Sequence, residues 1–161
     1  MYLFGMGVHT IDQMIALHGV PERIVYDVRS MHNPGGCDDY FDIDLFYGRK
    51  KVTVKTSYYC KISAPRFIVH GTLGSLVIPQ VGHISEGGVK EKVYGQLSYF
   101  DNEGKEHNEQ VEVQSSDYGR LYQNVYDEIF NGKEKVITDE QLMSVLDILQ
   151  DGVEFALAQH I

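Results

Sequence analysis

The chain has 161 residues, 43% of them hydrophobic and 23% charged, and a formal net charge of −9 at pH 7. This composition predicts one folded domain, residues 1–161, with a core of its own, and excludes a disordered or fibrous chain. The carboxylate excess and the lack of a bilayer-spanning apolar run exclude nucleic acid and membrane as partners.

The opening "MYLFGMGVHTIDQMIALHG" is apolar, but it lacks a basic leader and contains His9, Asp12 and Gln13. It is therefore not read as a signal peptide. It predicts a helix from about Gly7 to His18, with Ile11, Met14, Ile15 and His18 on one buried stripe and Gly19 as the stop. "RIVYDVRS" follows as a strand and "MHNPGG" as a loop. In "YFDIDLFYGRKKVTVKTSYY", Phe41, Ile43, Leu45 and Tyr47 alternate with polar positions, and Val52, Val54, Thr56 and Tyr58 do so after Gly48-Arg49. A type II′ hairpin is expected, pairing Leu45 with Val52, Ile43 with Val54 and Asp42 with Lys55, so that one face is apolar and the other polar. "RFIVHGTLGSLVIP" reads as two strands around a glycine turn, and "YGQLSYFDNEGKEHNEQVEV" as a hairpin turning at Asp101–Gly104.

Two helices close the chain. One carries the stripe Tyr118, Leu121, Tyr122, Val125, Ile129 and Phe130, and ends at Asn131-Gly132. The other begins at a capping box formed by Thr138 and Gln141, with Leu142, Val145, Leu146, Leu149, Val153 and Leu157 facing inward. The order predicts an α+β fold: an open, mostly antiparallel sheet, helices on one face, the other face polar and available for oligomerisation.

Several chemistries find no support in the sequence. It contains no P-loop, and no G-x-G-x-x-G follows a strand. "HGTLGS" is a turn between strands rather than a phosphate cradle. The seven histidines and two cysteines show no metal-ligand spacing, so no metal site is expected. Cys37 and Cys60 are read as free thiols of a cytoplasmic protein. Asp38-Asp39 could bind a cation or position a substrate hydroxyl, although a polar loop entering a strand is the simpler account. His9 is singled out by its setting. Asp12 and Gln13, three and four residues on, can reach its ring on a helix, and a carboxylate on one imidazole nitrogen frees the other for proton transfer.

The blocks "GVHTIDQMIALHGVPERIVYDVRS", "DDYFDIDLFYGRKKVTVKTSYY", "PRFIVHGTLGS" and "SSDYGRLYQNVYDEIFNGKEKVITDEQLMSVLDIL" together resemble, in order, the C-terminal half of bacterial Gfo/Idh/MocA oxidoreductases. The resemblance implies an N-terminal Rossmann domain that binds NAD or NADP in complete members, and no cofactor-binding residues in this chain. It also implies a sugar, polyol or related hydroxy substrate, and a homodimer or larger homo-oligomer formed through the sheet face or an exposed edge. The family pattern Asp-x-x-x-His falls on "GMGVH", which makes His9 the candidate acid/base and puts Gly5 where the aspartate stands. Asp12 is then the candidate partner or substrate contact. The lysine of the family's Glu-Lys-Pro motif has no counterpart, and the segment from Pro79 to Tyr94 is shorter than in related chains. Two expectations follow. The chain is either the substrate and oligomerisation part of an oxidoreductase, inactive by itself, or a stand-alone binding or dimerisation module derived from one.

Overall fold

A computed structural model describes residues 1–80, 92–114 and 117–159; most of the segment between Pro79 and Tyr94, expected to be shorter than in related chains, lies outside them. The elements run α1 (Val8–His18), β1 (Arg23–Arg29), β2 (Tyr40–Tyr47), β3 (Lys50–Ser57), β4 (Phe67–His70), β5 (Gly74–Ile78), β6 (Val93–Phe100), β7 (Glu106–Val113), α2 (Tyr118–Asn131) and α3 (Asp139–Ala158). The chain is α+β, its strands all antiparallel but divided between two sheets, β1-β2-β3 and β4-β5-β6-β7. It forms two compact units, Met1–Cys60 with Asn124–Ile161, and Lys61–Gln123.

In the first unit the β2–β3 hairpin has the expected register, with Leu45 opposite Val52, Ile43 opposite Val54 and Asp42 opposite Lys55. Gly48 turns with φ of 58°, and no non-glycine residue among those described has a positive φ. Arg49 is therefore on the negative side, which selects the II′ turn over I′. Val28, Phe41, Ile43, Leu45 and Val54 are buried on the face that packs against the helices. The other face is laced with charge: Lys51 and Lys55 each reach an aspartate, Asp44 and Asp42, at 2.7 Å. Arg23 lies 3.6 Å from the centre of the Phe46 ring. This face is polar, as the alternation predicts.

Helix α1 buries Ile11, Met14 and Ile15. His18, the fourth expected member of the stripe, turns outward to Lys50 Nζ, 2.9 Å from its Nδ1. Gly19, with φ of 78°, ends the helix by donating its N–H to the Ile15 carbonyl at 2.8 Å. Ahead of α1, residues Leu3–Gly7 form a π turn that periodicity did not reveal. Helix α3 starts at Thr138, whose hydroxyl accepts from the Gln141 amide at 3.1 Å. Its buried face is Val145, Ile148, Leu149, Gly152 and Val153. Leu142, Leu146 and Leu157, expected inside, are exposed. The expectation followed bulky residues, whereas the contact face is centred on a glycine, where another chain segment comes close.

That segment is Leu3, which is fully buried. A Cβ on Gly152 would lie 2.8 Å from Leu3 Cδ2 and 3.3 Å from the Tyr26 ring, and a Cβ on Gly7 would lie 2.8 Å from Leu3 Cδ1. Two glycines thus make the slot that one leucine fills.

In helix α2 the members of the apolar stripe Leu121, Tyr122, Val125, Ile129 and Phe130 are all exposed, Phe130 at 68%. An amphipathic period shows that a helix has an apolar face, not that the same chain covers it.

The second unit is built of the two expected hairpins. Gly71 and Gly74 close one, the Gly71 N–H donating to the Gly74 carbonyl at 2.8 Å. Gly104, with φ of 78°, donates to the Asp101 carbonyl at 3.0 Å in the other. Strand register puts Val69, Leu76, Leu97 and Val111 on one face of this sheet, and His70, Ser75, Gln96 and Gln110 on the opposite one. No helix among the described residues is long and apolar enough to cross a membrane.

The slot for Leu3 can be tested by filling it. Gly152→Val should lower unfolding free energy by about 2 kcal/mol through overpacking, measured by urea denaturation. A solvent-facing control in the same helix, Gln150→Ala, should move it by less than about 0.5 kcal/mol.

Candidate functional site

The π turn and α1 are continuous, so the chain enters α1 in a geometry fixed by Leu3 at one end and by Ile11 at the other. His9 is the second residue of α1 and is exposed. Among the described residues none hydrogen-bonds to its ring. The side chain is thus presented to solvent on a helix whose opposite face is core.

Asp12 has a different partner from the one its spacing suggests. One of its carboxylate oxygens, Oδ1, accepts a hydrogen bond from the Gln141 side-chain amide at 2.6 Å. Gln141 is the third residue of α3, and in a full capping box its side chain would return to the backbone of Thr138. Here the backbone half of the box forms and the side chain instead crosses to α1. The structure therefore sets His9 and Asp12 on the same helix without a hydrogen bond between them, and ties Asp12 to α3.

Gly5 and Gly7 play separate parts. Gly7 admits Leu3, as described above. Gly5 has no atom within 4 Å of the place a Cβ would occupy, and its φ is not positive. The position that carries a carboxylate in the resembling family is open to one here.

Carboxylates reach this end of the unit from elsewhere. Asp38 Oδ2 accepts from the Leu3 amide, and the Asp38 carbonyl accepts from the Tyr2 amide at 3.2 Å. Orphan amides at the start of a helical segment are favourable partners for an anion. Asp39 accepts from the amides of Met31 and His32 at 2.8 and 2.9 Å, and from the Tyr59 hydroxyl at 2.8 Å. Burial pushes the Asp39 carboxyl up, but these three donors outweigh it and hold it below the usual carboxylate range. Together with His32, Asn33, Cys37 and Tyr58, the two aspartates line an open cleft of about 490 Å³. The sequence marks Asp38-Asp39 only as polar residues before a strand. What it does not mark is the attachment of Asp38 to Tyr2 and, 35 positions away in the chain, to Leu3. No group of three His, Cys, Asp or Glu side chains among the described residues is placed to hold a metal ion.

The open space at Gly5 predicts that Gly5→Asp folds normally, with a stability change within about 0.5 kcal/mol, because the added Cβ has no atom within 4 Å and a helical glycine is lost. Thermal denaturation by circular dichroism measures this. A drop of several degrees would show that the glycine is required by the π turn.

Comparison with known proteins agrees with this architecture. The profile described as "Oxidoreductase family, C-terminal alpha/beta domain" (GFO_IDH_MocA_C) matches residues 1–156. The chain is 36% identical over 165 residues to the uncharacterized oxidoreductase YhhX of Escherichia coli, a match that covers 95% of this chain and 48% of that protein. It is 23% identical over 165 residues to the scyllo-inositol 2-dehydrogenase (NADP(+)) IolW of Bacillus subtilis, over 94% of this chain and 46% of that one. A crystal structure of an oxidoreductase from Bacillus cereus superimposes with a TM-score of 0.84 at 34% identity, covering 93% of this chain and 47% of the other. The chain thus spans about half the length of the relatives it matches. With a family profile matched along almost its whole length and the fold shared with a solved oxidoreductase, this chain belongs to the Gfo/Idh/MocA oxidoreductase family and corresponds to its C-terminal α/β domain.

Proposed function

We propose that the chain is the substrate-contacting and self-associating part of an NAD(P)-dependent oxidoreductase that acts on a sugar, a polyol or a related hydroxy compound. The observation that carries this reading is His9: an imidazole in the first turn of α1, exposed, and free of hydrogen-bond partners among the described residues. An unengaged imidazole can take the proton from a substrate hydroxyl as hydride leaves the same carbon, and return it in the reverse direction. The similarity to IolW, whose name specifies scyllo-inositol and NADP(+), supports a polyol-type substrate. Asp12, anchored by Gln141, serves in this reading as a substrate contact on the same helix rather than as the carboxylate that orients His9.

The nicotinamide cofactor supplies hydride transfer when bound. The residues described here do not fit its dinucleotide. Gly5 and Gly7 stand in a π turn, whereas a phosphate-binding glycine turn follows a strand and opens a helix. We assign the cofactor to the part of the complete protein that this chain does not span, and this chain alone is expected not to catalyse hydride transfer.

Self-association is the second half of the proposal. Among the described residues, strands β1, β3, β4 and β7 each have one edge unpaired within their sheets, and such edges can take up a second copy. A stand-alone binding or dimerisation module is the competing reading. It is favoured by Asp12, whose carboxylate is already taken up in a helix–helix contact, and by the absence of a side chain at Gly5.

Two measurements separate these readings. In the protein that joins this domain to its Rossmann half, His9→Asn should lower turnover by about 10²-fold or more while the fold is kept; unchanged turnover and pH dependence remove His9 from the mechanism. Light scattering coupled to size-exclusion chromatography should give a dimer or larger species for the 161-residue chain, and a strictly monomeric peak at high concentration refutes self-association.

A further inference from the structure

We propose that Cys37 and Cys60 form a redox pair. A hydroperoxide oxidises them to a disulfide that extends the β2–β3 ladder beyond its present end, and a thiol reductant reopens it. Both thiols are free and exposed in the structure.

Strand register brings the two together. Tyr40 of β2 stands opposite Ser57 of β3. Moving outward, the same register sets Asp39 opposite Tyr58, Asp38 opposite Tyr59 and Cys37 opposite Cys60. The first of these steps is already made, since the Tyr58 N–H donates to the Asp39 carbonyl at 3.0 Å. At the second, side chains hold the segments together: Tyr58, Tyr59, Cys37, Asp38 and Asp39 line one cleft, and the Tyr59 hydroxyl donates to the Asp39 carboxylate at 2.8 Å. The third is not made. The Cys60 N–H donates instead to the Ser57 carbonyl at 3.4 Å, and the Tyr59 N–H to the Ser57 hydroxyl at 3.1 Å, so the chain turns away from its partner at Tyr58–Tyr59.

That turn is loosely held, whereas the opposite segment is not. The Cys60 bond is longer than the usual range of roughly 2.7–3.2 Å, and Tyr58 is 75% exposed, so unrolling the turn gives up little burial. On the other side the Ser30 hydroxyl donates to the Gly36 carbonyl at 2.9 Å, and the Asp39 N–H to the Arg29 carbonyl at 3.0 Å. Cys37 lies between these two anchors, so Cys60 is the partner that moves. Straightening residues 58–60 into strand brings directly opposed Cα atoms to about 4.5–5.5 Å. A disulfide spans roughly 4.4–6.8 Å. The segment so fixed carries Asp38, which accepts the Tyr2 and Leu3 amides, and the cross-link therefore also restrains the start of the chain.

The chemistry closes with the hydroperoxide as the one co-reactant. A cysteine sulfur takes one oxygen, the O–O bond breaks, and a sulfenic acid and an alcohol (water, from hydrogen peroxide) result. The second sulfur attacks the first, the S–S bond forms, the S–O bond breaks, and the hydroxyl leaves as water with the proton of the second thiol. The two thiols lose two electrons and two protons, and the peroxide takes up both.

Hydrogen peroxide added to the 161-residue chain, followed by alkylation of the remaining thiols, should give an intact mass lower by two hydrogen atoms. The product should run as a single chain on a denaturing, non-reducing gel, and its digest should contain a peptide pair joined through Cys37 and Cys60. The yield should hold constant over about a tenfold range of protein concentration, and dithiothreitol should reverse the change. Closing this loop should raise the thermal midpoint by roughly 5 °C or more. Cys37→Ser and Cys60→Ser, both at exposed positions, should fold as the parent does and show no such rise on oxidation. His9→Asn should cross-link as the parent does, because the pair uses neither the imidazole nor a cofactor. The proposal is overturned by disulfides only between copies, by sulfinic or sulfonic acids without a cross-link, by a yield that climbs with concentration, or by a parent midpoint that stays unmoved.

Discussion

The first unit depends on one leucine fitted between two glycines. Leu3 is fully buried, with Gly7 beneath one methyl and Gly152 beneath the other, and the Tyr26 ring beside Gly152. This contact joins the start of the chain, the α1 helix, the α3 helix and strand β1 at one point. Close packing without voids makes such a point stiff, because neither glycine can be enlarged and the leucine cannot retreat. The direction in which α1 leaves the core, and with it the placement of His9 toward solvent, follows from that fit.

This also explains which parts of the fold were legible in the sequence. The β2–β3 hairpin was readable to the residue, because a period of two and a glycine turn leave one register that puts Phe41, Ile43 and Leu45 on the core side. The ends of α1 and α3 were readable from Gly19 and Thr138, which act on neighbouring amides and carbonyls. The buried face of α3 was misjudged because Gly152 carries no hydrophobicity to count, yet marks the closest approach. The π turn escapes periodicity for a related reason: no apolar period marks residues 3–7, and Leu3 alone anchors them in the core. Helix α2 shows the opposite limit. Its apolar period is strong, but burial belongs to whatever lies against it, and no pattern within the helix contains that information.

The candidate site divides along the same line. His9 was identified by its residue type and position, and by resemblance to a family pattern. Its relation to Asp12 was judged from helix spacing, which gives reach but not preference. Gln141 changed the outcome by using its side chain across two helices instead of in its own capping box. A hydrogen bond to a charged acceptor is worth more than a neutral local one, so the long-range contact prevails. Nothing near Asp12 in sequence announces a partner 129 residues later.

The absence of a side chain at Gly5 acquires a different meaning once Asp38 is considered. A helical segment begins with amides that need acceptors, and an acidic side chain near that end lowers the energy of both. In this chain the acceptor comes from the β1–β2 loop: Asp38 takes the Leu3 amide and, through its carbonyl, the Tyr2 amide. Negative charge is thus present at the beginning of the His9 helix although position 5 has none. Because the donor is backbone, Asp38 is fixed by the π turn itself, and the turn is fixed by Leu3. The same carboxylate therefore bounds the cleft on one side and steadies the helix that presents His9 on the other.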